Sequence, residues 1–365
     1  MRFDVVDIIK GIAIIMIVNV HLISGPFFSV GETFHVVAFF FASGVIHAEK
    51  EKWQVLSVGQ FFRERAARLL YPYFALSCCY ICFHLFLNAI RGDQFFNSVI
   101  TDSLIKTAVL KGIGTLWFLP VLFLGEILFF IAKKYRFSDF VILLIGLGIV
   151  AVSSYLNSQG ICGVQWYGNY SFYGLILNNP VTLLLSSLIA SFFIELGFVC
   201  YKTFPGLFLN ESHSLKFYLL VALVCVLSLI TDFLCLGNYR GDLHKLDIGN
   251  PCFYLLCSVS GILFVCTLSV LIARFCKHLS SLFKFLGKNS LIVMTTHTEY
   301  YVNSIAFLAV SSFVSALGVS ISNKMLSGIS LFVILLLETG IVFIVNRSFL
   351  KYLYTFPKRR EIVAR

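Results

Sequence analysis

A succession of long apolar runs is the feature that most restricts what this chain of 365 residues can fold into. About ten runs can be marked, and most approach the roughly 20 residues that a helix needs to cross the hydrocarbon core of a bilayer. They cover residues 5–23, 34–48, 69–89, 116–132, 140–156, 181–200, 217–236, 253–273, 291–311 and 326–345. Only 13% of the residues are charged, about half the fraction in a soluble domain. The sequence therefore predicts an all-α, polytopic membrane bundle of about ten transmembrane helices.

The net charge of +10 does not indicate a nucleic-acid partner, because its placement follows membrane topology. With the N-terminus inside and ten spans, all but six of the 28 Lys and Arg residues fall on inner segments. The six on outer segments are Arg91, Lys106, Lys111, Arg240, Lys245 and Lys324. This is the positive-inside pattern, and it predicts that both termini are cytoplasmic. The short second run is predicted to cross, because a re-entrant run would place five further cations outside.

No internal repeat or linker divides the chain. We predict one transmembrane domain over residues 1–346, followed by a short basic cytoplasmic tail at 347–365. The first run is expected to be retained, since no small-residue cleavage site follows it. The 11 Cys residues are mostly scattered through apolar runs and are interpreted as packing residues, so no metal is expected. Whether Cys162 and Cys252, both on outer segments, form a disulfide stays open.

Lys10 and His21 lie eleven positions apart in the first apolar run. Ionisable groups inside a membrane are costly and mark functional sites by default. On an α-helix, eleven residues return to within roughly 20° of the start while climbing about 16 Å. Both side chains are therefore predicted on one stripe, with Lys10 near the inner face and His21 near the outer face. Asp7 lies one turn before Lys10 and is expected to pair with it.

Further candidate residues fall at the same two depths. His35 opens the second run and Trp117 begins the fourth, both at the outer side, whereas Arg65 and Arg68 enter the third run at the inner side. An imidazole is the usual general base for a hydroxyl that attacks an activated acyl group. Cationic groups suit phosphates. An acyl-coenzyme A is cytoplasmic and joins a phosphate-bearing head to a long thin acylated arm. It fits a passage with cations at the inner side and an imidazole at the outer side.

Five segments also resemble, in the same order, motifs of the membrane acyltransferase family 3, whose members transfer acyl groups, often acetyl, to sugars of surface polysaccharides. They are DIIKGIAIIMIVNVH at 7–21, FHVVAFFFASG at 34–44, RERAARLLYPYF at 63–74, GTLWFLPVLF at 114–123 and KNSLIVMTTH at 288–297. The second motif departs from the family pattern at Val36, Val37 and Ala38, and the last at Val293 and Met294. The resemblance covers most of the chain and is to the type without a fused periplasmic SGNH domain. It implies an acyltransferase domain to which acetyl-coenzyme A has access from the cytoplasm.

The site residues predicted from motifs and depth form three groups. The catalytic residues are His21, which the resemblance implies is the catalytic imidazole, and His35. The donor acetyl-coenzyme A is expected to contact Lys10, Arg65, Arg68 and His297, and the acceptor Trp117, Gln165 and Trp166. The last two belong to an aromatic and amide-rich stretch at 164–174 that is equally typical of a sugar-binding surface and of an interfacial aromatic belt.

Plainer interpretations of these residues stay open. His35 would only orient His21, and Lys10 would only neutralise Asp7. The two arginines would anchor the third run at the cytoplasmic interface. His297, expected in the inner third of the ninth run, would make a hydrogen bond between helices.

The predicted function is O-acetyl transfer from cytoplasmic acetyl-coenzyme A to a carbohydrate or lipid-linked saccharide at the outer face of a bacterial inner membrane. Its other expected partners are membrane lipids, and the acceptor's identity, the acyl length and the oligomeric state are left open. The alternative is a proton-coupled transporter or lipid-linked sugar flippase, because further carboxyls lie within apolar runs. These are Glu126, Glu195, Asp232, Glu299 and Glu338.

Overall fold

The computed structural model describes residues 4–30, 32, 34–91, 95–162, 172–209, 214–236 and 241–356. In this part of the chain the regular structure is helical, apart from one isolated bridge between Asp242 and Asp247. The helices are α1 (Asp4–Val20), α2 (Val37–Glu49), α3 (Val58–Arg65), α4 (Tyr71–Arg91), α5 (Phe95–Ala108), α6 (Phe118–Lys134), α7 (Asp139–Ser158), α8 (Phe172–Thr203), α9 (Leu215–Leu236), α10 (Pro251–Phe275), α11 (Lys277–Lys288), α12 (Ser290–Thr296), α13 (Val302–Ala316), α14 (Asn323–Arg347) and α15 (Lys351–Tyr354). The predicted all-α polytopic class is confirmed.

Within the described ranges, 7 helical segments are long and apolar enough to cross a membrane. They are Val58–Ile90, Gly114–Lys134, Asp139–Ser158, Asn179–Thr203, Leu215–Cys235, Pro251–Phe275 and Asn323–Arg347. The first, second and ninth predicted runs form shorter helices: α1 has 17 residues, α2 has 13, and the ninth run divides into α12 and α13. The total of about ten spans and the cytoplasmic termini stay predictions.

The two short helices α1 and α2 form the centre of the bundle because glycines let their backbones approach neighbouring helices closely. A Cβ added at Gly11 of α1 would lie 2.1 Å from the carbonyl oxygen of Phe283 on α11. A Cβ at Gly44 of α2 would lie 1.9 Å from the carbonyl oxygen of Ile194 on α8. Close backbone packing through small residues is a common way for membrane helices to associate. It leaves most of α1 buried, so an ionisable residue there is either paired or faces a cavity.

The ninth run is interrupted in the middle of the bundle. α12 ends at Thr296 and α13 begins at Val302, after Tyr301 adopts a left-handed backbone conformation with φ 62°. Broken helices at membrane depth are tolerated where the free backbone groups are buried in protein or line a cavity. Thr298 and Glu299, within this break, line the cavity described below.

The open question of a disulfide between Cys162 and Cys252 is answered by the structure. Both Cys162, four residues after α7, and Cys252, in the first turn of α10, are free thiols.

Candidate functional site

A cavity of about 940 Å³ opens among the segments predicted to lie at the outer side. Its walls come from the C-terminal end of α1, the segment before α2, the α5–α6 connection, the loop before α10 and the break between α12 and α13. The charged and imidazole-bearing residues of its lining are His21, Glu32, His35, Lys106, Lys111, Asp242, His244, Lys245, Asp247 and Glu299. The structure thus brings His21, His35 and Trp117, which were predicted at one level, into the lining of one cavity.

His21 follows α1 directly and its side chain is exposed to the cavity. Its Nδ1 lies 2.7 Å from the carbonyl oxygen of Ile17. A carbonyl oxygen can only accept, so in the neutral imidazole Nδ1 carries the proton and Nε2 keeps a lone pair. The imidazole is therefore arranged with Nε2 as the nitrogen able to take a proton from a hydroxyl group.

Asn19, which is fully buried, holds the chain that follows α1. Its Nδ2 donates to the carbonyl oxygen of Phe28 at 2.6 Å, and its Oδ1 accepts from the backbone N–H groups of Phe27 and Phe28 at 2.9 and 3.0 Å. From the α13 side, Asn303 donates its Nδ2–H to the carbonyl oxygen of His21 at 3.0 Å. The position of His21 is thus set from both directions.

His297 lies against His21, with the ring centroids 5.3 Å apart and the planes at 71°. We expected it in the inner third of its run, at a distance from the imidazole of α1. The difference arises because the helix breaks after Thr296 and α12 packs beside α1. The His297 ring is fully buried and its Nδ1 is 2.8 Å from the carbonyl oxygen of Val293. Its predicted role in donor binding stays a prediction.

Glu299 connects the α12–α13 break to the α5–α6 connection, and both of these segments line the cavity. Its Oε1 accepts hydrogen bonds from the backbone N–H of Thr115 and from the Thr298 hydroxyl, both at 3.0 Å. Gly114 has φ +47°, and a Cβ there would lie 1.7 Å from the same oxygen. The sequence marked Glu299 only as an intramembrane carboxyl in support of a transporter. Its position beside the 114–123 motif depends on tertiary contact and has no sequence signal.

Trp117 forms one face of the cavity and stacks on His244, with centroids 4.9 Å apart and planes at 11°. The loop that carries His244 is closed by reciprocal backbone hydrogen bonds of 2.9 Å between Asp242 and Asp247. Asn157 on α7 donates to the carbonyl oxygen of Leu246 at 2.7 Å and fixes the loop from outside. The sequence did not single out His244, although it placed the neighbouring Lys245 on an outer segment.

The pKa of the His244 imidazole is shifted by burial and by neighbouring charges. Burial of the imidazole is the main factor, and the nearby Lys111, Lys245 and Lys106 add to it against the opposing effect of Asp242. Together they lower the pKa of His244 to about 4. The imidazole is therefore neutral at physiological pH.

The predicted inner cations lie away from this cavity. Lys10 forms the expected ion pair with Asp7 at 3.0 Å. On α1 the cavity lining extends inward to Ile17, and Lys10 is seven residues, or about 10 Å, deeper along the helix. A donor bound near Lys10 would have to bring its acyl group across that distance to reach His21.

Arg65 and Arg68 point in different directions. A π-helical turn at residues 66–70 separates α3 from α4. Because a π-helix has more residues per turn, it increases the angle between two residues three apart. Arg65 faces the bundle and lies 3.3 Å from Glu126, whereas Arg68 is exposed. Gln165 and Trp166, the other predicted acceptor contacts, lie outside the described residues.

Glu126 on α6 is the centre of a buried polar cluster at the end of the bundle that carries Arg65. It accepts a hydrogen bond of 2.5 Å from Ser43 and lies 3.5 Å from Nε2 of His47, both on α2. Arg65 completes the cluster and neutralises the carboxylate. The sequence identified both charges but did not indicate that they pair.

These observations define a class: an integral membrane protein of packed helices, with an exposed imidazole at the edge of a cavity that charged and aromatic side chains line. A family model described as an acyltransferase domain matches residues 3–345. The chain therefore belongs to the membrane-bound acyltransferase family 3, and the resemblance seen in its motifs is confirmed. No curated protein and no solved structure matches the chain significantly. The protein is thus a multi-pass membrane acyltransferase.

Proposed function

We propose that this acyltransferase moves an acetyl group from cytoplasmic acetyl-coenzyme A to a hydroxyl of a surface or lipid-linked carbohydrate at the outer face of a bacterial inner membrane. The observation that carries the proposal is the His21 imidazole, which is exposed to the cavity and has Nδ1 bound to its own helix. Family membership supports acyl transfer.

The reaction that this arrangement supports is direct transfer. Nε2 of His21 takes the proton of the acceptor hydroxyl as its oxygen attacks the thioester carbonyl carbon. A carbon–oxygen bond forms and the carbon–sulfur bond breaks. The imidazolium then returns the proton to the leaving thiolate, so that an ester and the free thiol of coenzyme A are produced. An alternative order, in which His21 is itself acylated first, would leave a labelled acyl-protein that can be trapped.

The donor's phosphates are assigned to the inner side on the basis of charge. Arg68 is exposed there, and the positive-inside pattern concentrates cations at that face. Arg65 is committed to Glu126 and Lys10 to Asp7. We therefore propose that Arg68 makes the strongest phosphate contact and that the two paired cations contribute mainly to the local field.

The experiment compares surface glycans and glycolipids, by mass, from cells that contain or lack the protein. We expect an acetyl mass difference that disappears with His21→Ala and persists with His278→Ala, a matched change at an exposed histidine on α11. Membrane abundance of each variant is measured alongside. A fully active His21→Ala protein would remove the base assignment. No acyl difference in any glycan or glycolipid would remove the proposed acceptor class.

A transporter or flippase is the weaker candidate, because family membership indicates acyl transfer. The carboxyls that suggested it have local partners: Asp232 accepts from Ser260 at 2.5 Å, and Glu338 from Thr296 at 2.6 Å. Substrate flipping by the purified protein without coenzyme A would support that candidate instead.

A further inference from the structure

Two buried acceptor atoms next to His21 have no hydrogen-bond donor among the described residues. They are Nε2 of His297 and Oδ1 of Asn303. His297 is fully buried and Asn303 is 5% exposed, so neither atom is in reach of the cavity. Leaving a buried acceptor without a donor is unfavourable, and each such atom in a folded protein requires an explanation.

Asn303 fixes the spacing of the two imidazoles. Its backbone N–H donates to the carbonyl oxygen of His297 at 2.9 Å, and its Nδ2–H donates to the carbonyl oxygen of His21 at 3.0 Å. The ring centroids of the two histidines are 5.3 Å apart, with the planes at 71°. The contact between His21 and His297 is therefore supported through the backbone of both segments.

Both imidazoles carry a proton on Nδ1. Nδ1 of His21 lies 2.7 Å from the carbonyl oxygen of Ile17, and Nδ1 of His297 lies 2.8 Å from that of Val293. Because a carbonyl oxygen only accepts, each Nδ1 is the protonated nitrogen and each Nε2 keeps its lone pair. While both rings are neutral, the two neighbouring imidazoles thus offer two lone pairs and no proton to share.

Protonation of His21 changes this balance. The added proton goes to Nε2, since Nδ1 already holds one, and the ring becomes a cation. A nearby acceptor that water does not reach favours the charged form of its neighbour. His297 therefore interacts more favourably with the imidazolium than with the neutral ring of His21. An interaction that is stronger in the transition state than in the ground state is the kind that increases a reaction rate.

His297 itself does not line the cavity, so it acts on a bound molecule through His21. Other charged and titratable groups do face His21 from the surrounding segments, and they carry both signs of charge. They are Glu32, His35, Lys106, Lys111, Asp242, His244, Lys245, Asp247 and Glu299. These groups are the same in wild type and in a variant at position 297, so a comparison of the two isolates the effect of His297.

We infer that His297 is a positioning residue, whose buried Nε2 stabilises the imidazolium that His21 becomes when it takes the proton of the acceptor hydroxyl. The acceptor and the proton transfer rest on the proposed function. The proton moves from the hydroxyl to Nε2 of His21 and then to the leaving thiolate, while His297 stays neutral. A role in helix packing alone would require only a ring of this size, which gives the test its control.

The experiment follows the ring nitrogens of the histidines by ¹⁵N NMR in the full-length protein, in nanodiscs, without donor or acceptor. His21→Ala and His297→Phe identify the two sets of signals. Wild type should show His297 neutral at neutral pH, with its proton on Nδ1. His297→Phe keeps an aromatic ring but has no lone pair. In this variant the pH at which His21 is half protonated should fall by about 1 unit, a tenfold loss of proton affinity.

Further variants separate the lone pair from packing. His297→Gln, whose amide oxygen is again an acceptor, should reverse most of the shift. His278→Phe, at the exposed histidine of α11, is the matched control and should leave the titration of His21 unchanged. If His297→Phe does not fold, His297→Leu, which is smaller and also has no lone pair, takes its place.

Four results would overturn the inference: a proton on Nε2 of His297 at neutral pH, an unchanged titration of His21 in His297→Phe, a titration that moves to higher pH, or a shift that His297→Gln does not reverse. The titration uses neither coenzyme A nor a saccharide. Its failure is therefore separate from a failure to find acetylated glycans, and each tests its own proposal.

Discussion

Replacing Gly114 by alanine tests whether Glu299 positions the cavity wall. The new Cβ would lie 1.7 Å from Oε1 of Glu299, so the carboxylate must withdraw by about 1.7 Å to reach ordinary van der Waals distance. The hydrogen bond from the Thr115 N–H, 3.0 Å long, would then be lost. A hydrogen bond to a charged group contributes about 1.5–3 kcal/mol. The left-handed backbone at φ +47° costs alanine about 1 kcal/mol more.

Gly318→Ala supplies the matched control. Gly318 has φ +66°, yet a Cβ there meets nothing within 4 Å, so this variant carries the backbone cost alone. We expect Gly114→Ala to lower the free energy of unfolding by about 2.5–4 kcal/mol and Gly318→Ala by about 1 kcal/mol. Thermal unfolding in nanodiscs measures both. Because Thr115 and Glu299 border the cavity, a displacement above 1 Å should also reduce acyl transfer by about 100-fold.

The double variant Gly114→Ala/Glu299→Ala separates collision from strain. Removing the carboxylate abolishes the collision, so the two changes together should cost less than the sum of the single changes. Equal unfolding temperatures and equal transfer rates for Gly114→Ala and Gly318→Ala would refute the reasoning.

Three further outcomes follow from buried polar contacts. Glu126→Gln leaves the charge of Arg65 uncompensated and should lower the free energy of unfolding by about 3–5 kcal/mol. Its unfolding temperature should be lower than that of Glu64→Gln, the control at an exposed glutamate. Asn19→Ala removes three hydrogen bonds to the chain after α1, so amide exchange at Phe27 and Phe28 should accelerate while exchange in α10 stays unchanged. Because the pKa of His244 is lowered to about 4, the imidazole takes up a proton on unfolding between pH 6.5 and 4. The free energy of unfolding should therefore fall with decreasing pH in that window, by at most about 1.4 kcal/mol per pH unit. His244→Gln should lack this component when unfolding is measured against pH.

Much of the candidate site was accessible from the sequence because it depends on local periodicity. The stripe from Lys10 to His21 follows from helix geometry, and the pairing of Lys10 with Asp7 follows from their spacing. The levels of His35 and Trp117 follow from counting along each run. Each of these relations concerns residues within one helix or at one membrane depth, and both can be read from the spacing of residues along a single apolar run.

Other features depend on how the helices pack and where they break. The ninth run had the composition of one span, but it breaks after Thr296, which brings His297 against His21. Arg65 and Arg68 were predicted at one depth, but Arg65 lies beside Glu126, and the π-helical turn that follows it gives Arg68 a different direction. Neither event leaves a periodic signal, because each is stabilised by contacts with helices far away in the chain.

The sequence by itself determined that this chain is a helical membrane protein and that it carries the motifs of its family. Those properties follow from the cost of placing polar groups in hydrocarbon, which acts on each segment separately. Only the tertiary structure decided which polar groups meet, because His21 and His297 are 276 positions apart and Trp117 and His244 are 127 apart. Such pairs are set by close helix packing, where glycine contacts such as those of Gly11 and Gly44 fix which faces meet.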